Sequence, residues 1–163
     1  MKPTMPTRRT ALRSIALSLG AGAALTALPR LAAAARLPAV FTDKPKGVAV
    51  GGYDTIAYFT EQKPVKGNPA IATEHAGVTW WFASEANKAL FVANPARYAP
   101  QYGGYCAWAV ASGYTASGDP EAWSVTNDKL YLNYNKAVRF AWARDIPGNV
   151  KKGDANWPAV LAK

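Results

Sequence analysis

The sequence predicts a small single α+β domain in which two β-hairpins pack with several short helices. Paired segments rich in β-branched and aromatic residues flank short turns, first at Ile71–His75 with Val78–Phe82 and again within "WSVTNDKLYLNY". A helix-capping residue and apolar positions at helical spacing follow each pair. We identify no internal repeat and no linker, so we expect one domain.

The first 35 residues have the parts of a cleavable export signal. Arginines precede an apolar stretch at residues 14–28, and small residues at 32–35 suit a signal peptidase. The apolar stretch is shorter than the roughly 20 residues of a membrane span, although an uncleaved anchor is the alternative. "TRRTALR" is similar to the twin-arginine export motif, with Ala11 in place of the usual phenylalanine. We therefore expect a signal peptide at 1–35 and a periplasmic protein.

Cleavage changes the charge of the protein. The full chain has a formal net charge of +9, and its first 35 residues carry five basic residues and no acidic one, so the mature chain has a net charge of +4. Its basic residues are scattered, and only Lys151 and Lys152 are adjacent. We therefore expect no nucleic-acid partner and no stable membrane span after cleavage.

We expect residues 36–46 to form a loose lead-in and residues 47–163 to form the domain with a C-terminal helical extension. A short extended segment at Val48–Val50 precedes Asp54, which is expected to cap a helical turn at Thr55–Phe59.

The helix after the first hairpin is predicted to begin after Ser84 and to end before Pro95, with Leu90 and Phe91 facing inward.

The second hairpin is predicted to turn at Asn127–Asp128, with Leu132 and Tyr134 among its apolar positions. Asn133 or Asn135 is expected to cap the next helix. Its buried face would carry Val138 and Trp142. The chain is expected to break at Pro147-Gly148 and to continue as a short helix at 149–157.

Cys106 is the only cysteine, so it has no partner for an internal disulfide. It is a buried apolar residue, a reactive thiol, a metal ligand or an intermolecular link. Gly103 and Gly104 precede it and would let backbone approach a ligand closely. If the segment after these glycines is helical, Cys106 would lie in its first turn, where backbone N–H groups lower the pKa of a thiol.

The order of three segments, "GYDTIAYF", "GVTWWFASEANKALFVANPARYAPQYGGYCAWAVASG" and "KLYLNYN", resembles the YHS-domain family in its secreted, stand-alone bacterial form. The resemblance covers about Gly47 to Asn135. It implies a module related to treble-clef or TRASH-like metal-binding domains, without a settled activity. Family members attached to copper pumps have metal-binding cysteines near the first strand turn and at the hairpin–helix junction. This chain has no cysteine at either place.

Other candidate residues have a structural and a functional interpretation. His75, the only histidine, is either an exposed turn residue or a ligand that with Cys106 gives a sulfur–nitrogen pair for copper or zinc. Asp54 is a helix cap, or else a hard ligand or a base near Cys106. The aromatic residues near Cys106 form core or a pocket for a flat ligand. The candidate ligand-binding residues are Tyr53, Asp54, Gly103, Gly104, Tyr105, Cys106 and Trp108, and the candidate metal ligands are Cys106 and His75.

These features lead to a hypothesis of an exported, non-catalytic binding module for a soft metal ion or small ligand near Cys106. The alternative is a thiol-based redox protein with Cys106 as nucleophile and a resolving thiol from a partner. A third hypothesis is an interaction protein whose motifs only hold the fold. A Ser-His-Asp triad and a phosphate-binding glycine loop have no support in the sequence.

Overall fold

Two antiparallel hairpins, each followed by helices, form the fold. The computed structural model describes residues 36–162, and the predicted export signal lies outside them. The strands are β1 (Asn68–His75), β2 (Val78–Phe82), β3 (Asp119–Thr126) and β4 (Lys129–Asn133). The helices are α1 (Ala57–Thr60), α2 (Glu85–Ala93), α3 (Pro95–Tyr98), α4 (Ala107–Ala111), α5 (Lys136–Trp142) and α6 (Ile146–Asn156), with 3-10 turns at Val50–Gly52, Gln101–Gly104, Ala143–Asp145 and Ala159–Ala162. The predicted α+β class is confirmed, whereas the treble-clef relation stays a prediction.

Both hairpins have two-residue turns with positive φ. Ala76 and Gly77 have φ of 53° and 77° between β1 and β2, and Asn127 and Asp128 have φ of 49° and 57° between β3 and β4. Such turns match the right-handed twist of the strands they join. Both predicted hairpins and both turns are therefore confirmed.

The helix caps follow the sequence closely. The hydroxyl of Ser84 accepts a hydrogen bond from Asn87 N at 3.1 Å, and the amide oxygen of Asn135 accepts one from Val138 N at 2.8 Å. The prediction that Leu90 faces inward is wrong, because Leu90 is 44% exposed while Phe91 is fully buried. Successive residues lie about 100° apart around a helix, so only one of them meets the sheet.

Pro147 and Gly148 lie inside a helix, and the predicted break there is wrong. α6 begins at Ile146, and the Asp145 carboxylate accepts a hydrogen bond from Gly148 N at 2.9 Å. Proline suits a first helical turn because its missing N–H needs no partner there. The capping aspartate therefore decides where this helix begins.

The region around Asp54 is close to the prediction. The extended segment Val48–Val50 is extended only at its first two residues, because Val50 begins a 3-10 turn with φ of 53°. The predicted helical turn is observed as α1, but the prediction that Asp54 caps it is wrong, because the N-cap is Ile56 and no side chain caps the helix. Asp54 instead accepts a hydrogen bond from Ile56 N, before the helix begins.

Residues 36–46 pack against the domain and are not loose as expected. Val40 is buried, and Phe41 N donates a hydrogen bond to Gly103 O at 2.9 Å. The Tyr105 hydroxyl donates to Pro38 O at 2.9 Å. Gly103 has φ of 59°, and a side chain there would collide with the backbone carbonyl of Ala39. The glycine therefore permits the close approach of the lead-in.

The two hairpin–helix segments repeat each other's architecture at a constant offset, which the sequence analysis did not identify. β1 and β3, β2 and β4, and the first residues of α2 and α5 are each 51 residues apart. The register shift at Asn68/Ala72 recurs at Asp119/Trp123, again 51 residues later. We call residues 51–98 the first unit and residues 103–149 the second unit.

Equivalent side chains do equivalent work in the two units. Phe91 and Trp142 occupy the same helical position, and both are fully buried. Gly67 would clash with Trp81 if it had a side chain, and Gly118, 51 residues later, would clash with Gly104 and Leu132. A Gly-Gly-Tyr turn precedes each unit's first helix at an offset of 52 residues, one more than the hairpins. Asp54 and Cys106, which follow the two tyrosines, therefore occupy equivalent positions in these turns.

The core joins the two units. One apolar cluster combines Trp80, Phe82 and Phe91 of the first unit with Leu130 and Leu132 of the second. A second cluster packs Tyr105, Tyr131 and Trp142 of the second unit against Val160 and Leu161 of the C-terminal 3-10 turn. None of the helices in residues 36–162 has the length and hydrophobicity needed to cross a membrane.

Candidate functional site

Cys106 is shielded from solvent, with 1% of its surface exposed. It lies at the N-cap of α4, its backbone N donates to Ala116 O at 2.9 Å, and its thiol Sγ lies 3.9 Å from Asn133 Oδ1. The thiol is a weak donor to that amide oxygen. In this arrangement Cys106 packs as a small core residue.

Asp54, the equivalent residue of the first unit, is fully buried and fully hydrogen-bonded. Its Oδ1 accepts from Ile56 N at 2.9 Å. Its Oδ2 accepts from Ala83 N at 2.8 Å and from Asn87 Nδ2 at 2.7 Å. The carboxylate thereby joins its own turn to the end of β2 and to α2. Both oxygens are occupied by donors, so this side chain serves the fold and has no place for a metal ion.

Asn133 in the second unit makes one of the hydrogen bonds that Asp54 makes in the first unit. Its Oδ1 accepts a hydrogen bond from Trp108 N at 3.2 Å, two residues after Cys106, as Asp54 Oδ1 accepts from the N–H two residues after itself. Asn133 is fully buried, and its Nδ2 has no hydrogen-bond partner among the described residues. The amide therefore organises the turn after Cys106.

The structure does not bring His75 and Cys106 together. His75 lies exposed at the end of β1, with its ring centroid 5.7 Å from that of Phe91 and 6.3 Å from that of Trp80. Within residues 36–162 no group of three or more His, Cys, Asp or Glu side chains is placed to hold a metal ion. One thiol beside one amide oxygen does not fit a soft-metal site, because copper and zinc require more sulfur or nitrogen donors.

The candidate aromatic residues are divided between two surfaces. The Tyr53 hydroxyl donates to Glu121 Oε1 at 3.1 Å, and Lys66 Nζ lies 3.8 Å from the ring centroid. Burial, and next the hydrogen bond to Glu121, raise the pKa of Tyr53. Tyr105 packs on Phe41 with 5.3 Å between ring centroids, and burial raises its pKa. Trp108 is half-buried against the second apolar cluster. These rings do not enclose a common pocket.

A cavity of about 410 Å³, which we call cavity A, lies between the lead-in, the first 3-10 turn and the second hairpin. Its lining residues are Phe41, Asp43, Lys44, Val50, Gly51, Gly104, Ser117, Gly118, Asp119, Pro120, Leu132 and Tyr134. Of the seven candidate ligand-binding residues only Gly104 lines it. Leu132 lines it too, and its backbone pairs with that of Cys106, so cavity A adjoins the region that the sequence indicated.

The charged residues of cavity A were not among the candidates identified from the sequence. Asp43 and Asp119 supply two carboxylates, and Lys44 supplies one ammonium. Asp119 Oδ1 accepts a hydrogen bond from Glu121 N at 2.8 Å, which fixes the side chain at the start of β3.

Comparison with known proteins identifies one part of this architecture. A family model described as the YHS domain matches residues 56–102, which lie mainly in the first unit. No curated protein and no solved structure matches the chain. The second unit lies outside the match, although its hairpin has the same register as that of the first. The chain therefore contains a YHS domain at residues 56–102.

Proposed function

We propose that the protein is an exported, non-catalytic binding module that holds a small polar ligand in cavity A. The observation that carries this proposal is the cavity itself, whose volume of about 410 Å³ lies within the range of small-molecule sites. Apolar walls beside a few polar groups are typical of such sites.

The charges of cavity A favour a ligand with a positive group. Carboxylates outnumber ammonium groups in its lining by two to one, and Asp119 is held in place by its own turn. Phe41 and Leu132 supply apolar surface beside these charges. A small amine with an apolar body matches both features.

YHS domains are often linked to metal binding, and the donors of this chain argue for another ligand. The hydrogen-bond partner of the Cys106 thiol among residues 36–162 is Asn133 Oδ1, and the Asp54 carboxylate accepts hydrogen bonds from three N–H donors. A titration of the protein with Cu⁺ and with Zn²⁺ tests this step. We expect no stoichiometric binding that depends on Cys106, and a site lost on Cys106→Ser would instead support the metal hypothesis.

The ligand proposal is tested with phenethylamine as the probe and the neutral 2-phenylethanol as its analogue. We expect phenethylamine to shift the backbone amide NMR signals of Gly51, Gly104 and Gly118 and the alcohol to shift them much less. Asp119→Asn should lower the affinity for phenethylamine by roughly tenfold, as expected for a lost charge-assisted hydrogen bond. Asp128→Asn, outside cavity A, is the matched control. Absence of shifts at the three glycines, or equal binding by Asp119→Asn, would refute the proposal.

Export rests on residues 1–35, outside the described part of the chain, and is proposed from their sequence alone. The double substitution Arg8→Lys with Arg9→Lys should block export by the twin-arginine route and leave a full-length precursor in the cytoplasm. Arg13→Lys is the control, because it keeps the arginine pair. Export that is unaffected by the double substitution would argue against this route.

A further inference from the structure

A second cavity, which we call cavity B, lies between the two units. Its volume is about 490 Å³. Tyr58 and Phe59 of α1 form one side, and Trp123 of β3 and Arg139 of α5 form the other, with Arg97 and Asp128 at the edge. None of these residues lines cavity A.

Phe59 and Trp123 are partly exposed and present apolar ring surface to cavity B, whereas Tyr58 is fully buried and packs against Trp123. The rings of Tyr58 and Trp123 lie 5.3 Å apart, and so do those of Phe59 and Tyr98. The Tyr58 hydroxyl donates to Pro120 O at 3.0 Å, so its hydrogen is already used. A planar apolar group would therefore be received by ring surfaces.

The cations of cavity B exceed its anions by one. Arg97 Nη2 is paired with the Asp128 carboxylate at 3.1 Å. Arg139 takes part in none of the ion pairs found within residues 36–162. Its Nε donates to Ser124 Oγ at 3.0 Å, and the guanidinium carbon lies 6.0 Å from the Trp123 ring centroid. The Nε bond orients the side chain while leaving the two terminal nitrogens for an anion.

The first unit shows which of these residues the fold requires. In the first unit, Ala72 is equivalent to Trp123 and Lys88 is equivalent to Arg139. The first hairpin nevertheless has the same strand register as the second. Lys88 is neutralised by Glu85 at 3.0 Å, one turn earlier on its helix. The equivalent of Glu85 in the second unit is Lys136, so Arg139 has no acidic neighbour at this spacing. A large ring and an unneutralised arginine are thus additions to the common unit.

We propose that cavity B is a binding site for a small planar carboxylate, whose carboxylate pairs with Arg139 and whose ring lies against Trp123 and Phe59. A single negative charge balances the excess positive charge of the lining, and a flat guanidinium matches the two oxygens of a carboxylate. This inference is independent of the ligand proposed for cavity A, because the two sites share no lining residue.

The test is calorimetric titration of the purified protein with 1-naphthoate, with 1-naphthalenemethanol as the neutral analogue. We expect naphthoate to bind and the alcohol to bind at least roughly tenfold more weakly, as for one charge-assisted contact. Arg139→Gln should lower the affinity for naphthoate by a similar factor and leave the affinity for the alcohol unchanged. Arg144→Gln, which removes the same charge outside the cavity, should have no effect.

Two further variants sharpen the result. Arg139→Lys should recover only part of the affinity, because an ammonium lacks the two-pronged geometry of the guanidinium. Asp128→Asn should raise the affinity for naphthoate, because it releases Arg97 from its ion pair. Absence of naphthoate binding, equal affinity for the neutral alcohol, or unchanged affinity in a folded Arg139→Gln protein would overturn the proposal.

Discussion

At the residue scale, Asp54 connects three parts of the first unit through one buried carboxylate. Its three hydrogen bonds have donor–acceptor distances between 2.7 and 2.9 Å. Hydrogen bonds to a charged group contribute more than neutral ones, and a buried donor left unpaired is costly. The second unit has a thiol at this position and uses the Asn133 amide, whose buried Nδ2 has no hydrogen-bond partner in the part of the chain that the structure describes.

We predict that Asp54→Asn lowers the free energy of unfolding by about 2–4 kcal/mol, because one amide NH₂ would face donors that now bind a carboxylate oxygen. Urea denaturation followed by circular dichroism measures the change. Asp128→Asn breaks only the exposed pair with Arg97 and should cost less than about 1 kcal/mol. A loss for Asp54→Asn as small as that of the control would refute the role.

Burial also determines what the single thiol can do. Because Cys106 is 1% exposed, a thiol reagent should label it only when the domain opens or unfolds. We predict labelling of the native protein far slower than labelling in denaturant. The control is Ser112→Cys in a Cys106→Ser background, since Ser112 is exposed at the end of α4. Fast native labelling of Cys106 would favour the redox alternative over the binding module.

At the scale of elements, side-chain hydrogen bonds at the ends of a helix help to fix its position in the fold. α6 packs against α4, and Asn156 near its end donates to Val110 O at 2.9 Å and to Ala111 O at 3.2 Å. Its other end is fixed by Asp145. The orientation of α6 therefore depends on side-chain hydrogen bonds at both ends.

We predict that Asp145→Ala lowers the free energy of unfolding by about 0.5–2 kcal/mol through loss of this N-cap. Asp145→Ser should retain most of the stability, since serine also caps helices. Thermal or urea denaturation of both variants measures the difference. Equal stability of the alanine and serine variants would show that the cap contributes nothing.

At the scale of the whole molecule, the second apolar cluster makes stability depend on alkaline pH. Burial raises the pKa of Tyr102, Tyr105 and Tyr131 above the ordinary value of 10.0. Asp154 raises it further for Tyr102, whose hydroxyl donates to that carboxylate at 2.9 Å, and for Tyr131. The native state thus keeps protons that the unfolded state loses first.

We predict that the free energy of unfolding is unaffected by these tyrosines below about pH 10, where both states are protonated, and falls as the pH rises above it. The sign follows because the unfolded state binds fewer protons there than the native state. Urea denaturation between neutral and alkaline pH measures this fall. Tyr102→Phe should make the fall shallower, and an identical pH profile in this variant would exclude Tyr102 as a contributor.

Much of the fold could be predicted because its determinants are local. The two hairpin turns and the Ser84 cap depend on residues within a few positions of one another. Leu90 and Pro147 were misplaced because their environment depends on which helix face meets the sheet and on a capping carboxylate nearby.

The candidate site was less predictable. Gly104 was indicated by its position before the cysteine, but Asp43 and Asp119 lie far apart in the chain and meet only after the lead-in packs on the second unit. The aromatic residues near Cys106 were expected to surround one pocket. The structure instead divides them, because Tyr105 turns toward the lead-in and Tyr53 toward Glu121.

The sequence by itself determined the α+β class, both hairpins and their turns, and the resemblance that the YHS match at residues 56–102 supports. These depend on periodicity, turn chemistry and ordered motifs, which are properties of neighbouring residues. Only the tertiary structure decided that Cys106 is buried, that Asp54 has no free oxygen, and that two cavities of opposite charge form around the second hairpin. Burial and charge balance at a site depend on segments that meet in space, and spacing along the chain does not record those meetings.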